Sequence, residues 1–285
     1  MSQRSAAPAF ASVPPEEAER LVGQGEVRVI DVRRPDEWAG LGTIPGALLV
    51  PLDLIVSAAA TLPREGLPLL VCCEHGIRSA MAARILAQAG FQGVLNMNGG
   101  MSCWRGAREH LARDPDPVVG PASWLLRNSD LLALGQAVLD LACGTGRHAL
   151  LLASGGFEVR AVDRDAAAIE TLRATAARLD LAVRAEVLDL EQGEVDLGDA
   201  AYDLILGIHY LHRPLFPALR RALRPGGTLL YETFTTAQAA RGRPTNPDFL
   251  LQPGELPRLA APLTVLRQRE GEFDGRMVAG IAARR

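Results

Sequence analysis

Short apolar runs separated by amphipathic stretches fill the first hundred residues. Strand-like runs span residues 26–32, 46–52, 67–73 and 93–100, and a helical pattern covers residues 79–89. Apolar strands that alternate with crossover helices build parallel sheets. This half of the chain is therefore predicted to be an α/β domain with a mostly parallel sheet.

A second alternation begins at residue 136. A first strand enters the segment 136–146, and further strands are predicted at 158–163, 185–190, 201–208, 227–234, 263–273 and 276–283. The last two are too close for an intervening helix, so they are expected to form a hairpin. The pattern predicts a doubly wound, seven-stranded Rossmann-like sheet, and the absence of an internal repeat makes the two halves different modules.

Proline and glycine gather between the two alternations, in the segment 107–124, without sustained periodicity. We therefore expect a first domain at residues 10–108, a linker at 109–125 and a second domain at 126–285.

Composition narrows the class of protein. A hydrophobic content of 48% over 285 residues suffices for two packed cores, and the net charge of −3 comes from interspersed charges, which disfavours nucleic acid as a partner. The sequence carries no signal-peptide core and no apolar run of membrane-spanning length, so a cytoplasmic enzyme is expected. Four cysteines without zinc-type spacing predict thiol chemistry rather than disulfides or a metal site.

Two of these cysteines end the third strand, in "LLVCCEHGIRSAMAARILAQAGF". Strand alternation places Cys72 in the core and lets Cys73 open a loop that leads into a helix. Gly76 allows the loop to curl, while Arg78 and the helix N-terminus favour an anion on or beside the sulfur. From these residues alone, burial of both cysteines as small core side chains is equally acceptable.

Three ordered motifs resemble the rhodanese-like sulfurtransferase family: "VIDVRRPDEWAGLGTIPGALLVPL", "CEHGIRS" and "GFQGVLNMNGGMSCW". The resemblance implies that Cys73 is a nucleophile that holds a persulfide, with Asp31 and Arg33 as support beneath its loop. It also implies a cradle made of Arg78 and the amides of residues 74–78, which include Glu74, His75, Gly76 and Ile77.

The loop departs from the family in two places. Thr43 stands where histidine is usual, and Glu74 repels a dianionic donor such as thiosulfate. The loop is one residue shorter than in the related phosphatases, which implies sulfur transfer. Thiosulfate and mercaptopyruvate both stay open as sulfur donors, and His75 is either a proton carrier or an exposed loop residue.

A glycine loop opens the second domain, in "AVLDLACGTGRHALLLASGGFEVRAVDRD". A strand runs into Gly144 and Gly146 before a helix, which brings a ligand against backbone amides. Asp140 precedes this loop, where a carboxylate favours an amine over a pyrophosphate, and Asp163 closes the next strand, where it can accept ribose hydroxyls. A nicotinamide fold is thereby disfavoured.

This half resembles the class I S-adenosylmethionine-dependent methyltransferases, and within them the small-molecule enzymes of the tellurite-resistance type. By that resemblance Asp140, Gly144 and Gly146 would line the methionine end of S-adenosylmethionine, Asp163 the ribose and Asp189 the adenine edge. Leu190 and Arg164 flank the adenine in this interpretation. Ala142 occupies a position where the family often has glycine.

Side chains after the fourth and fifth strands should face the methyl group. His209 and Glu232 are candidate bases or supporting residues, and no third ligand makes a metal site with His209 and His212. The remaining candidates for the acceptor pocket are Tyr210, His212, Tyr231 and Phe234. The proline-rich segment 241–256 is interpreted as a lid.

We therefore predict a sulfurtransferase domain fused to a methyltransferase that acts on a small molecule, and S-methylation of a thiol, sulfide or persulfide is the sharpest hypothesis. Alternatively, the methyl acceptor is not sulfur, and the first domain acts independently or as a regulatory or redox-sensing module. The sequence does not determine the oligomeric state.

Overall fold

The computed structural model describes residues 10–110, 120–193 and 195–285. The chain divides into two compact units between Pro121 and Ala122. Most of the expected linker, residues 111–119, lies outside the described residues.

A five-stranded parallel sheet in the order β1-β5-β4-β2-β3 forms the centre of the first unit. Its elements are β1 (Ala11–Val13), α1 (Pro15–Gly23), β2 (Arg28–Asp31), α2 (Pro35–Leu41), β3 (Leu48–Leu49), β4 (Leu69–Cys72), α3 (Ile77–Gln88) and β5 (Val94–Met97). The parallel sheet confirms the prediction, although the short edge strand β1 had no periodic signal and β3 keeps only two residues.

Helix α3 begins at Ile77, two residues before the predicted start. Gly76 precedes it with φ 84°, a left-handed conformation that glycine adopts without a steric penalty. The chain therefore turns from β4 into α3 within four residues, which holds the cysteine loop against the end of the sheet.

Seven strands in the order β11-β12-β10-β9-β6-β7-β8 make up the sheet of the second unit. The elements are α4 (Ser123–Arg127), β6 (Ala137–Leu141), α5 (Arg147–Ser154), β7 (Glu158–Asp163), α6 (Ala166–Arg178), β8 (Val183–Val187), β9 (Tyr202–Ile208), α7 (Phe216–Ala222), β10 (Leu223–Phe234), α8 (Glu255–Ala260), β11 (Thr264–Phe273) and β12 (Arg276–Arg284). Strand β12 is antiparallel to both β10 and β11, which confirms the terminal hairpin.

The strand order of this sheet reverses at β6: β7 and β8 lie on one side, β9 and β10 on the other. Ligands of open α/β sheets bind at such a switch point, beyond the carboxyl ends of the strands. Strand β8 ends at Val187 rather than at residue 190, so Asp189 lies in the loop beyond that strand.

Candidate functional site

Cys73 lies at the turn between β4 and α3, and its side chain is buried, with 1% exposure. The backbone N–H of Gly76 donates a hydrogen bond to its Sγ at 3.1 Å, and the Oγ of Ser79 lies 3.3 Å from the same sulfur. Cys72 points into the core, where burial raises the pKa of its thiol. The two adjacent cysteines therefore occupy different environments.

Ser79 connects the sulfur of Cys73 to a buried polar chain. Its hydroxyl donates to Oδ1 of Asn96 at 2.6 Å, and the amide of Asn96 donates to Ser12 and Asn98. Because that hydroxyl has one proton, Ser79 can only accept a hydrogen bond from the Cys73 thiol in this arrangement. Sequence reasoning missed both residues, although Ser79 directly follows Arg78.

A fully buried ion pair supports the loop from below. The guanidinium of Arg33 binds Asp31 at 2.8 Å and Glu74 at 3.0 Å, and it donates to the carbonyl of Gly42 at 2.6 Å. Thr43 donates its hydroxyl to Asp31 at 2.8 Å, so the residue that replaces the usual histidine belongs to this network. Asp31 and Arg33 thus lie beneath the loop, and Glu74 is joined to them.

Arg78 forms a two-pronged ion pair with Glu37 of α2, at 2.6 and 2.7 Å. This contact lowers the pKa of Glu37 to about 2 and raises the pKa of Arg78. Sequence reasoning assigned Arg78 a role in binding an anion, whereas the structure supplies it with a carboxylate partner from the same unit.

The outer side of the loop faces solvent. His75 is exposed, with a ring nitrogen 3.2 Å from Oγ of Ser102, and the side chain of Ile77 is 73% exposed. Behind the loop, the N–H of Met101 donates to the carbonyl of Cys73 at 2.7 Å. A Cβ at Gly100 would lie 2.2 Å from that carbonyl oxygen, so only glycine permits this close approach.

The glycine loop of the second unit takes three residues through the left-handed region. Ala142, Gly144 and Gly146 have φ of 48°, 55° and 84°, and α5 starts at the next residue. A Cβ at Gly146 would meet Cδ1 of Leu172 at 2.2 Å. The resulting curl brings the N-terminus of α5 to the end of β6, where the N–H of Gly144 donates to Asp163 and the N–H of Gly146 donates to the carbonyl of Cys143.

Asp140 is 1% exposed, and its Oδ2 has no hydrogen-bond partner among the described residues. Burial raises the pKa of this carboxyl to about 7. His148 lies nearby, with Nδ1 4.0 Å from Oδ1 of Asp140, and its Nε2 accepts the N–H of Ala122 at 3.2 Å. Burial also lowers the pKa of His148 far below its usual range, so this imidazole is neutral.

A buried carboxylate oxygen with no partner calls for a cationic donor. The ammonium group of S-adenosylmethionine has that chemistry, and the open space beside Gly144 leaves room for the rest of its methionine moiety. The described residues therefore fit this cofactor at its methionine end. His148 was missed by sequence reasoning because its position in the helix gives no distinguishing signal.

Asp163 is the last residue of β7, and Asp189 lies two residues after the neighbouring strand β8. One oxygen of Asp163 accepts the N–H of Gly144 at 2.7 Å, and Asp189 accepts the N–H of Glu191 at 2.9 Å. Tyr210 lies near these carboxylates, and burial, reinforced by them, raises the pKa of its hydroxyl. The structure thus places Tyr210 near the acidic residues assigned to the cofactor.

Arg164 and Leu190 lie in the same region. The guanidinium of Arg164 is 3.6 Å from Glu191, and Leu190 is buried in the core.

His209 and Phe234 meet at the ends of β9 and β10. Their rings stack with centroids 4.6 Å apart, and His209 adopts φ 58° while its N–H donates to the carbonyl of Glu232 at 2.7 Å. Burial, reinforced by nearby arginines, lowers the pKa of His209 to about 3. This imidazole is therefore neutral and a weak base.

Glu232 is buried and bound to Arg269 at 2.6 Å. Burial outweighs this ion pair and raises the pKa of Glu232 to about 7. The guanidinium of Arg269 also lies over the rings of Trp124 and Phe273, at 4.8 and 4.3 Å from their centroids. Arg269 and Trp124 belong to late and early elements of the unit, so sequence reasoning did not connect them with this region.

Tyr231 and His212 occupy other environments. Tyr231 is fully buried in the core, where it packs against Phe216 and fills the space over Gly207. His212 is half-buried, and its carbonyl accepts the N–H of Leu215.

The segment 241–256, interpreted as a lid, is bound to Arg213. The guanidinium of Arg213 donates to the carboxylate of Glu255 and to the carbonyls of Asp248 and Leu250. These hydrogen bonds connect the segment to the turn that follows β9.

Across the described ranges, no group of three or more His, Cys, Asp or Glu side chains could hold a metal ion. No helix in the same ranges is both long enough and apolar enough to cross a membrane. All four cysteines lie within the described part of the chain and are free thiols.

Comparison with known proteins matches the two units to two different families. Residues 14–107 match the family model of the rhodanese-like domain. A sulfurtransferase of Allochromatium vinosum is 35% identical over 104 residues, which is 36% of this chain and 89% of that protein. Thiosulfate sulfurtransferase GlpE of Pseudomonas paraeruginosa is 35% identical over 96 residues, which is 34% of this chain and 84% of that protein.

Residues 138–227 match the family model of a methyltransferase domain. An S-adenosylmethionine-dependent methyltransferase from Mesorhizobium loti is 19% identical, with a TM-score of 0.46, over 55% of this chain and 94% of that one. TehB from Haemophilus influenzae is 22% identical, with a TM-score of 0.45, over 53% of this chain and 58% of that one.

Proposed function

We propose that this chain, which belongs to the rhodanese-like family and carries an S-adenosylmethionine-dependent methyltransferase domain, methylates a small molecule at sulfur and carries sulfur as a persulfide on Cys73. The observation that carries the choice of sulfur is the Glu232–Arg269 ion pair at 2.6 Å. This pair engages the carboxylate that would otherwise serve as a base at the end of β10.

The cofactor is assigned to residues around the end of β6. Asp140 would hold the ammonium group, Gly144 and Gly146 would line the methionine end, Asp163 would bind the ribose and Asp189 the adenine edge. When bound, S-adenosylmethionine supplies an electrophilic methyl group. The protein then has to orient the acceptor and exclude water.

The side chains near the proposed methyl-transfer region favour an acceptor that loses its proton without a strong base. The neutral His209, with a pKa of about 3, is too weak a base to deprotonate an alcohol. The pKa of Glu232, about 7, would suit a base, but its carboxylate is held by Arg269 at 2.6 Å. Thiols, sulfide and persulfides ionise near neutral pH without strong assistance. A sulfur acceptor therefore suits this site better than an oxygen acceptor.

Cys73 supplies the second chemistry. Its thiolate would attack the outer sulfur of a donor, form a sulfur–sulfur bond and release the remainder of the donor with the electron pair of the broken bond. The Gly76 N–H that reaches Sγ and the N-terminus of α3 support negative charge at this position. Donors to be tested are thiosulfate, mercaptopyruvate and methanethiosulfonate.

The test is intact-protein mass spectrometry of wild type and Cys73→Ser after exposure to each donor, followed by S-adenosylmethionine and small thiols. We expect one added sulfur in wild type only, and then release of methylated sulfur. An adduct whose sulfur is never methylated would leave two independent activities. Methylation of oxygen or nitrogen acceptors in preference to thiols would overturn the sulfur acceptor.

A further inference from the structure

The charged side chains around the cysteine loop are already paired with one another. Arg78 is bound through both terminal nitrogens to Glu37, at 2.7 and 2.6 Å. Arg33 is bound to Asp31 at 2.8 Å and to Glu74 at 3.0 Å. Three carboxylates thus face two guanidinium groups, so the loop has no surplus positive charge from these residues.

The burial of these pairs makes them persistent. The side chain of Arg33 is fully buried, and that of Glu37 is 15% exposed. Charges in such positions are screened weakly by salt. A dianion that approached Cys73 would have to displace Glu37 from Arg78 or remain close to Glu37 and Glu74, and both routes cost free energy.

We infer that the sulfur donor of Cys73 carries at most one negative charge, and that Glu37 and Glu74 set this preference. The inference rests on the proposed role of Cys73 as a sulfur carrier. It selects thiosulfonates and organic persulfides over thiosulfate, although the similar protein of Pseudomonas paraeruginosa is called a thiosulfate sulfurtransferase. Glu37 and Glu74 are specificity-determining residues in this view.

The transfers to be compared are balanced and differ mainly in charge. From thiosulfate, the Cys73 thiolate takes the outer sulfur, and sulfite leaves with the electron pair of the broken bond. From the methanethiosulfonate anion, it takes the same kind of sulfur, and methanesulfinate leaves in the same way. Neither reaction needs an oxidant or a reductant.

The experiment measures the second-order rate of sulfur addition to Cys73 in the full-length protein by time-resolved mass spectrometry. Each rate is divided by the rate of the same donor with free cysteine, which removes intrinsic reactivity. We expect the normalised rate with methanethiosulfonate to exceed that with thiosulfate by about tenfold or more, because the repulsion from Glu37 and Glu74 scales with the charge of the donor. Equal normalised rates would overturn the inference while leaving the carrier role intact.

Two variants and one control assign the preference to residues. Glu37→Gln and Glu74→Gln should each raise the thiosulfate rate about tenfold and the methanethiosulfonate rate about threefold, because a dianion feels a removed charge twice as strongly. Glu65→Gln, in an exposed loop of the same unit, should leave the ratio unchanged. An unchanged ratio in both loop variants would contradict the assignment, and failure of both donors to load Cys73 would overturn the carrier role and this inference together.

Discussion

The loop after β4 and the loop after β6 share a backbone plan but differ in how their polar groups are satisfied. Each connects a parallel strand to a helix through a glycine of positive φ. Around Cys73 the charged side chains are paired within the unit, whereas Asp140 keeps a buried oxygen without a partner among the described residues. A loop that carries its reactive atom covalently can be internally complete, but a loop that binds a diffusible cofactor must leave polar groups for it.

The close approach of Gly100 to the carbonyl of Cys73 gives the largest expected effect on stability. Gly100→Ala places a Cβ 2.2 Å from the carbonyl oxygen of Cys73 at φ 62°, and we expect a loss of about 3 kcal/mol in the free energy of unfolding. Gly144→Ala is the matched change in the other unit: it meets open space and should cost about 1 kcal/mol from its positive φ alone. Thermal and denaturant unfolding would measure both, and equal losses would contradict the contact argument.

Removing the buried carboxylate of Asp140 tests whether the loop after β6 binds S-adenosylmethionine. We expect Asp140→Asn to weaken binding of S-adenosylmethionine about 100-fold, because a buried charge-assisted contact is lost. Calorimetric titration would measure it, with the exposed Asp199→Asn as a control that retains wild-type affinity.

The same carboxyl predicts a pH dependence. Its pKa is raised from 3.8 to about 7, so the ionised form that binds an ammonium group is lost as the pH falls below 7. Affinity should therefore decline towards pH 5.5 in wild type and stay flat in Asp140→Asn. The stability of the free protein should change with pH in the opposite direction. The contribution of Asp140 to the free energy of unfolding is complete below pH 3.8 and is lost as the pH rises through 7. A wild-type affinity that is independent of pH would contradict the assignment.

Ser79 tests whether the buried chain behind the sulfur matters for transfer. Ser79→Ala removes the hydroxyl 3.3 Å from Sγ of Cys73 and leaves Oδ1 of Asn96 without that donor. We expect sulfur loading to slow about tenfold, because the hydroxyl that would turn from Asn96 to donate to the Cys73 thiolate is lost, at a cost of roughly one hydrogen bond. Ser79→Thr should recover most of the rate, and Ser102→Ala should change it less than twofold; a slow Ser79→Thr variant would indicate a packing role instead.

The smallest expected effect concerns Ala142, a non-glycine residue at φ 48° in the glycine loop. Ala142→Gly should raise the free energy of unfolding by about 1 kcal/mol, because glycine removes the steric penalty of the left-handed conformation. The helical Ala149→Gly in the same unit should lower it by about 1 kcal/mol. Denaturant unfolding of the two variants should give opposite signs, and a destabilised Ala142→Gly would show that the strain is absent.

Hydrophobic periodicity predicted both sheets, because the apolar content of a buried strand is visible within a few residues. It showed no sign of β1, since three exposed or half-buried residues carry no alternation that distinguishes them from a loop. It also placed Asp189 at the end of a strand, whereas β8 ends two residues earlier. Strand ends depend on which neighbour is available for pairing, and that neighbour is distant in the chain.

Residue types and their spacing were sufficient to predict the two modules, the positions of their glycine turns and the local placement of Cys73 and Asp140, because each of these depends on a few neighbouring positions. The partners of the charged groups depend on how distant parts of the chain pack together. The pairs are Glu37 with Arg78, Glu74 with Arg33 and Arg269 with Glu232, and their members are 37 to 41 positions apart. The tertiary structure also places Tyr231, a predicted residue of the acceptor pocket, in the hydrophobic core. Such pairings arise from the packing of whole elements, and no local pattern encodes which of many carboxylates an arginine will meet.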